Sequence, residues 1–331
     1  MKICIARLRS GDNFVEPLNH IMDSFYYLLR EFRNKHPEHE FTYYNFGFNQ
    51  KPVRNVEAVE KADVIIIPTE AEFQYQTKGS IHTLDLAKSN AKLEEVKPYF
   101  NNKRVILLRS DRKDDIDLYQ NFVFPGLNID YRVIDEIDFG NVHGMKYHFI
   151  KNLSRFQLRT TEKIHDFVYW GSDKRKLPGG ANSGDIRHKI FKQIIKDEDI
   201  NSFFIGRFYG FKRHHKWSKM KDIIPIIEQS YTTLCFNWLD NTATTSRYVE
   251  ALACGCFPLV WQDYDKNDTF VAEEFQRVYT FEDLKDKLSY ITQDPRRFNE
   301  HFNIVEEKFK KVLLSPEEYY TMFESLLGKN L

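Results

Sequence analysis

The chain is short of cysteine, short of glycine for its length, without net charge and without a long apolar run, and each shortage removes a class of protein. Four cysteines in 331 residues form neither a disulfide framework nor the paired spacing of a zinc site. Two of them, Cys254 and Cys256, share a predicted buried turn, so a reduced, cytoplasmic setting is expected. No run of about 18 apolar residues occurs, and the apolar stretch at residues 3–6 is too short for a signal peptide. A soluble protein with no membrane partner is expected. The balance of 48 basic and 48 acidic side chains argues against a protein that coats nucleic acid, while leaving room for a local basic face. The opening strand and helix carry no G-x-G-x-x-G, so a dinucleotide phosphate is not expected there.

What is present is length and aromatic content. At 331 residues with 28 Phe and 18 Tyr, the chain suits two domains, each able to bury its own core. Strands are predicted at residues 2–8, 41–46, 62–68, 104–108 and 131–134. Helices are predicted at residues 18–32, from the helical spacing of Leu18, Ile21, Met22, Phe25, Leu28, Leu29 and Phe32, and at residues 83–96. Strand and helix alternate, which predicts a doubly wound parallel sheet whose ligands lie beyond the carboxyl ends of the strands. Asp111 stands just past the fourth of these strands, between Arg109 and Arg112. A carboxylate there can act as a general base; it can equally cap a turn or pair with either arginine. Residues 143–159 read as a link.

The second half repeats the alternation. A strand at 167–172 ends in Tyr169-Trp170-Gly171-Ser172, a basic loop follows with Lys174, Arg175 and Lys176, and a helix starts near residue 183 with Arg187 in its early turns. Cations and backbone N–H groups that converge in this way suit a diphosphate. The next strand, 203–207, leads into a loop at 208–221 that mixes Phe208, Tyr209, Phe211 and Trp217 with Arg207, Lys212, Arg213 and Lys216. That mixture suits a nucleic-acid backbone and exposed bases, equally a nucleotide donor with its uracil stacked on a ring, or simply a solvated loop with aromatic anchors. His214 and His215 lack the spacing of zinc ligands, and no metal site is expected.

The chain is organised around residues 244–261. Thr244, Thr245 and Ser246 are good N-cap residues, Arg247 and Glu250 lie at i, i+3 on one helical face, and the small residues Ala251, Ala253, Cys254 and Gly255 lead into an apolar strand. A helix start presents free N–H groups to anions. Arg247 can then meet a nucleotide's diphosphate while Glu250 accepts from its ribose. The ordinary alternative is a buried helix with one ion pair. Ser315-Pro316-Glu317-Glu318 opens the last predicted helix, 317–327, with Ser at N-cap and Pro at N1.

These motifs resemble the GT-B glycosyltransferases, and within them the bacteriophage enzymes that glucosylate 5-hydroxymethylcytosine in DNA, the β-glucosyltransferase type above all. The likeness rests on Arg247-x-x-Glu250 with its small-residue run and the acidic turn Asp263-Tyr264-Asp265, on Tyr169-x-Gly171-Ser172, on Phe203-Phe204-Ile205-Gly206, and on Asp111 after its strand. It implies an α/β, GT-B fold with two Rossmann-like doubly wound domains facing a central cleft: residues 1–155 for the acceptor DNA, 156–314 for the nucleotide sugar, and 315–331 as a helix returning to the first domain. It implies Asp111 as the catalytic base of an inverting transfer, and donor binding by Gly171, Ser172, one of Lys174, Arg175 and Lys176, Arg187, Ile205, Gly206, Ile224 in an Ile-Pro turn, Asn237, Asn241, Arg247 and Glu250. DNA phosphates would meet Arg109, Arg112, Arg207, Lys212, Arg213 and Lys216. The co-substrate is expected to be a UDP-sugar, glucose or a pentose such as arabinose, with Mg2+ or Mn2+ on the diphosphate but no dedicated protein site. The partner is double-stranded DNA carrying hydroxymethylated cytosine, acted on by a monomer in an infected host's cytoplasm. A transferase building cell-surface polysaccharide and a non-catalytic DNA-binding protein on the same scaffold are the competing readings.

Overall fold

A computed structural model describes residues 1–7, 29, 32–45, 56–67, 97–109, 126–135, 144–158, 161–172, 183–208, 215, 220–236 and 245–327. They form two compact units, one built from the described residues through Met145 together with those from Leu314 onward, the other from Lys146 to Leu313.

The first unit holds β1 (Lys2–Arg7), β2 (Glu40–Asn45), α1 (Val56–Glu60), β3 (Val64–Ile67), β4 (Lys103–Arg109) and β5 (Ile129–Asp135). The strands form one parallel sheet in the order β2-β1-β3-β4-β5. Their apolar runs are those of strands covered on both faces: Ile3, Ile5, Val64, Ile66 and Ile106 are buried together with Leu29 and Phe32.

The second unit holds α2 (Gly144–Leu153), β6 (His165–Ser172), α3 (Ser183–Lys196), β7 (Ser202–Arg207), α4 (Met220–Glu228), β8 (Ser230–Cys235), α5 (Ser246–Ala253), β9 (Phe257–Trp261), β10 (Arg277–Val278), α6 (Phe281–Gln293) and α7 (Pro295–Val312). Its strands are again parallel, in the order β10-β9-β8-β6-β7. The core of this unit runs from Tyr147 to Phe309 and includes every residue of α5 from Tyr248 to Ala253 except the carboxylate-bearing Glu250, which is buried but polar.

The last helix, α8 (Pro316–Leu327), belongs to the first unit. Ser315 and Glu318 close a reciprocal cap: the Glu318 N–H donates to Ser315 Oγ at 3.3 Å and the Ser315 N–H to Glu318 Oε2 at 2.7 Å. Tyr319, Tyr320, Phe323 and Leu327 then recur at helical spacing and lie in the core of the first sheet. Each such burial is worth about 1.5–3 kcal/mol.

Two local expectations are corrected. Where residues 143–159 read as a link, the chain forms α2, held inside the second unit by Tyr147, whose hydroxyl donates to Glu306 of α7 at 2.9 Å. The Ile-Pro stretch is helix α4 rather than a turn. Met220, Ile223, Ile224 and Ile227 are buried at helical spacing, and that period outweighs the single hydrogen bond forfeited at Pro225. No helix among the described residues is long and apolar enough to cross a membrane.

Candidate functional site

The carboxyl ends of β6, β7 and β8 deliver Gly171-Ser172, Gly206-Arg207 and Cys235, and α5 begins beside them. Gly171 and Gly206 are register partners on adjacent strands, with φ of +135° and +131°. Such angles are nearly closed to other residues. Space forbids a side chain as well: a Cβ on Gly206 would lie 1.9 Å from the Gly171 carbonyl oxygen, and one on Gly171 would lie 2.6 Å from Arg247 Nη2. The glycines therefore clear the strand ends for the Arg247 guanidinium.

Arg247 uses this space. Its Nε–H and Nη2–H donate to the Trp170 carbonyl at 3.1 and 2.5 Å, and its guanidinium carbon stacks 3.9 Å above the Tyr169 ring. A guanidinium has five N–H donors. Two are spent on Trp170, and no described residue takes the other three. Arg187 of α3 is 4% exposed and lies 5.0 Å over the ring of Phe236. Both arginines come close to Cys235. Burial pushes that thiol up to about 12, while the positive fields of Arg247 and Arg187 and a hydrogen bond with Thr245 pull it down.

Glu250, 1% exposed, is the anionic counterpart. Its Oε1 accepts from the Ser246 hydroxyl at 2.7 Å and pairs with the Lys146 ammonium, and its Oε2 accepts from the Trp170 indole N–H. Lys146 also donates to Ser246 Oγ. A carboxylate has about four lone-pair sites; described residues occupy three here, and none of them takes the second site of Oε2. The α5 start is fixed by Tyr264, whose hydroxyl accepts the Thr245 N–H at 2.7 Å, while the Thr245 side chain caps nothing. Of the acidic turn, Asp265 is wholly structural: it is fully buried and accepts from the N–H groups of Thr269, Phe270 and Val271.

The structure thus gathers Gly171, Arg187, Gly206, Arg247 and Glu250 at one sheet end. Ile205 is buried in β7 one residue before Gly206, and Ile224 places its side chain in the core from α4. Ser172, Arg207 and Arg109 are described as backbone at the ends of β6, β7 and β4. Asp111, Arg112, Lys174, Arg175, Lys176, Lys212, Arg213, Lys216, Asn237 and Asn241 lie outside the described residues. His215 joins the edge of β7 through a bridge to Ile205 and stacks on Phe203 at 4.1 Å. The expectation missed Lys146, Ser246 and Trp170. Trp170 stood in the quoted Tyr-Trp-Gly-Ser run, but Lys146 sits 100 residues from Ser246 in a stretch read as a link, where no local signal marks it.

No family model and no curated protein matches the chain. Solved structures do. T4 phage β-glucosyltransferase in complex with UDP-glucose is similar over 99% of this chain and 100% of that one, with a TM-score of 0.64 at 14% identity. The same phage enzyme with UDP and Mn2+ gives a TM-score of 0.60 at 14% identity, over 99% of this chain and 100% of that one. An α-glucosyltransferase in complex with UDP and a 13-mer DNA containing an HMU base gives 0.60 at 11% identity, over 98% of both chains. With two five-stranded parallel sheets among the described residues and a likeness that covers 99% of the chain, this protein has the GT-B fold of the phage glucosyltransferases.

Proposed function

We propose that the protein is a glycosyltransferase that moves a sugar from a UDP-sugar to a hydroxymethylated base in DNA. The observation that carries the reading is Arg247: a cation stacked on Tyr169 with three N–H donors that no described residue takes, set by two obligatory glycines at the mouth of a parallel sheet. Such a group binds an anion in a fixed orientation, and Arg187 supplies a second positive charge beside it. Together with one cation from residues 174–176 they neutralise the diphosphate as it leaves, which stabilises charge that develops in the transition state. Glu250 Oε2 offers its remaining lone pair to a ribose hydroxyl, while Lys146 and Ser246 hold the carboxylate in place.

Asp111 follows β4 by two residues and is the proposed base, taking the proton of the acceptor hydroxymethyl group as its oxygen attacks the anomeric carbon and inverts it. A base in duplex DNA must leave the stack to reach such a group. Arg109, Arg112, Arg207, Lys212, Arg213 and Lys216 are the proposed phosphate contacts. A divalent ion, where one assists, rides on the diphosphate itself. T4 β-glucosyltransferase binds UDP-glucose and the α-glucosyltransferase binds DNA containing HMU, which supports this donor and acceptor class.

The test is mass spectrometry of hydroxymethylcytosine DNA incubated with the protein and a panel of UDP-sugars. One new adduct mass names the sugar. Absence of any adduct, with UDP bound, rejects the DNA acceptor. Asp111→Ala is expected to abolish transfer with donor affinity nearly unchanged; unaltered turnover removes Asp111 from the mechanism.

A further inference from the structure

Far from the donor residues in sequence, the first unit brings two histidines and two carboxylates together where β2 begins. We propose that His36, Glu38 and His39 bind a zinc-class divalent cation, with Glu324 of α8 orienting His36 from behind. Among the described residues this is the one group of three metal-ligating side chains whose donor atoms all lie within 4.8 Å of one another.

The hydrogen-bond geometry is what points to a cation. His36 Nδ1 lies 2.9 Å from Glu38 Oε1, and His36 Nε2 lies 3.0 Å from Glu324 Oε1. A neutral imidazole has a single N–H, so it can satisfy only one of these carboxylates and turns a lone pair towards the other. A metal ion removes the conflict. With the Nε2–H donated to Glu324, the Nδ1 lone pair and the Glu38 carboxylate are two acceptors left 2.9 Å apart, and carboxylate–histidine–metal is the usual arrangement for a ligating histidine.

His39 supplies the third donor, its Nδ1 lying 3.9 Å from Glu38 Oε1. In a tetrahedral zinc site neighbouring ligand atoms stand about 3.3 Å apart; the separations of 2.9 and 3.9 Å lie on either side of that value, and all three donor atoms are within 4.8 Å of one another, so side-chain rotation must draw the histidines in to close the site. Two imidazoles and one carboxylate favour zinc, cobalt or nickel over magnesium or calcium, and water completes the fourth position.

The ligands are also held in advance. The His36 and His39 rings stack 17° from parallel at 5.6 Å, and both lie against Phe32, at 4.4 and 6.1 Å. Phe32 is buried and meets Phe323 of α8 at 4.9 Å. Glu38 is the exposed member and provides the entry path. An occupied site pins the C-terminal helix to the turn before β2.

Titration of the full chain with Zn2+ by calorimetry, and with Co2+ by visible absorption, tests the assignment. The expected result is one equivalent bound, a tetrahedral Co2+ spectrum without thiolate charge transfer, and a rise in Tm. His39→Ala is expected to abolish saturable binding. Glu324→Gln keeps the stoichiometry but weakens affinity by about 10–100-fold, as loss of an orienting partner does. Should His39→Ala fail to fold, the exposed Glu38→Gln reads the same loss. Zn2+ affinity that is unchanged in Glu38→Gln overturns the proposal. So does an absence of saturable Zn2+ binding by the wild-type chain.

Discussion

The two ends of the second sheet each carry a lysine, buried Lys146 at one and half-buried Lys163 at the other, and they use it in opposite ways. At the end where the strands start, Lys163 donates to the carbonyls of Glu228, Ser230 and Gly255 at 2.9, 3.0 and 2.5 Å, and sits 4.6 and 4.8 Å over the rings of Phe156 and Phe298. Helices α4 and α5 finish there, and the negative ends of their dipoles favour a cation. Gly255 completes that closure. With φ of +68° it lets Cys256 N–H reach the Ala251 carbonyl and its own N–H reach Leu252, and a Cβ there would lie 2.2 Å from Phe156. At the end where the strands finish, Lys146 meets a carboxylate and a hydroxyl, and the adjoining Arg247 has N–H donors that no described residue takes. A cation spent on backbone carbonyls seals a structure. A cation that neutralises a buried carboxylate beside an arginine leaves that arginine unspent on it, which is what the proposed anion site requires.

The sharpest test of that contrast is Gly206→Ala at the open end. A Cβ set against backbone at φ +131° is expected to lower stability by about 3 kcal/mol or more, since overpacking and strain add. Denaturant unfolding measures it, and a loss under 1 kcal/mol would mean that the strand ends can part. Next in size is Lys146→Met, which leaves Glu250 buried without its counter-ion at a cost of about 3–5 kcal/mol. Adding Glu250→Gln should restore most of that stability, yet UDP affinity should remain weak. Recovery of both would reduce this network to a structural one like that of Lys163.

Lys163→Met comes third, at about 2–3 kcal/mol for three carbonyls left without their charged donor, and its UDP affinity should be unchanged. It also has a pH signature. Burial brings the Lys163 ammonium down to about 8 from 10.5. Between these values the folded protein releases a proton that the unfolded chain retains, so stability rises with pH across that window. Wild-type stability minus that of Lys163→Met should show this rise, and a flat difference would mean that the carbonyls hold the charge in place. The smallest effect is Ser246→Ala. Loss of one hydroxyl donor to Glu250 is expected to cost about 1 kcal/mol and a few-fold in UDP affinity by calorimetry.

Much of this was legible beforehand where the signal is local. The buried parallel strands, the Arg247-x-x-Glu250 helix with its glycine stop, and the Ser-Pro-Glu-Glu start of the last helix are patterns within a dozen residues. Misreadings came where two local rules compete. Pro225 marked a turn, but four buried apolar side chains at helical spacing kept the helix. Residues 143–159 read as a link, yet they form α2, which is tied down through Tyr147 and Lys146 by partners a hundred or more residues away. The acidic turn was noticed for its charge, yet Asp265 spends that charge on three backbone N–H groups.

By itself the sequence determined which segments become strands and helices, that they alternate into parallel sheets, and where glycine and arginine fall at strand ends and a helix start. Those features follow from hydrophobic period and backbone sterics, which act between near neighbours. Only the tertiary structure decided that Lys146 faces Glu250, that Gly171 and Gly206 stand side by side beneath Arg247, and that His36 meets Glu324 across 288 residues. Pairings of that kind depend on how whole elements pack, and a buried charge has no address until the fold supplies its partner.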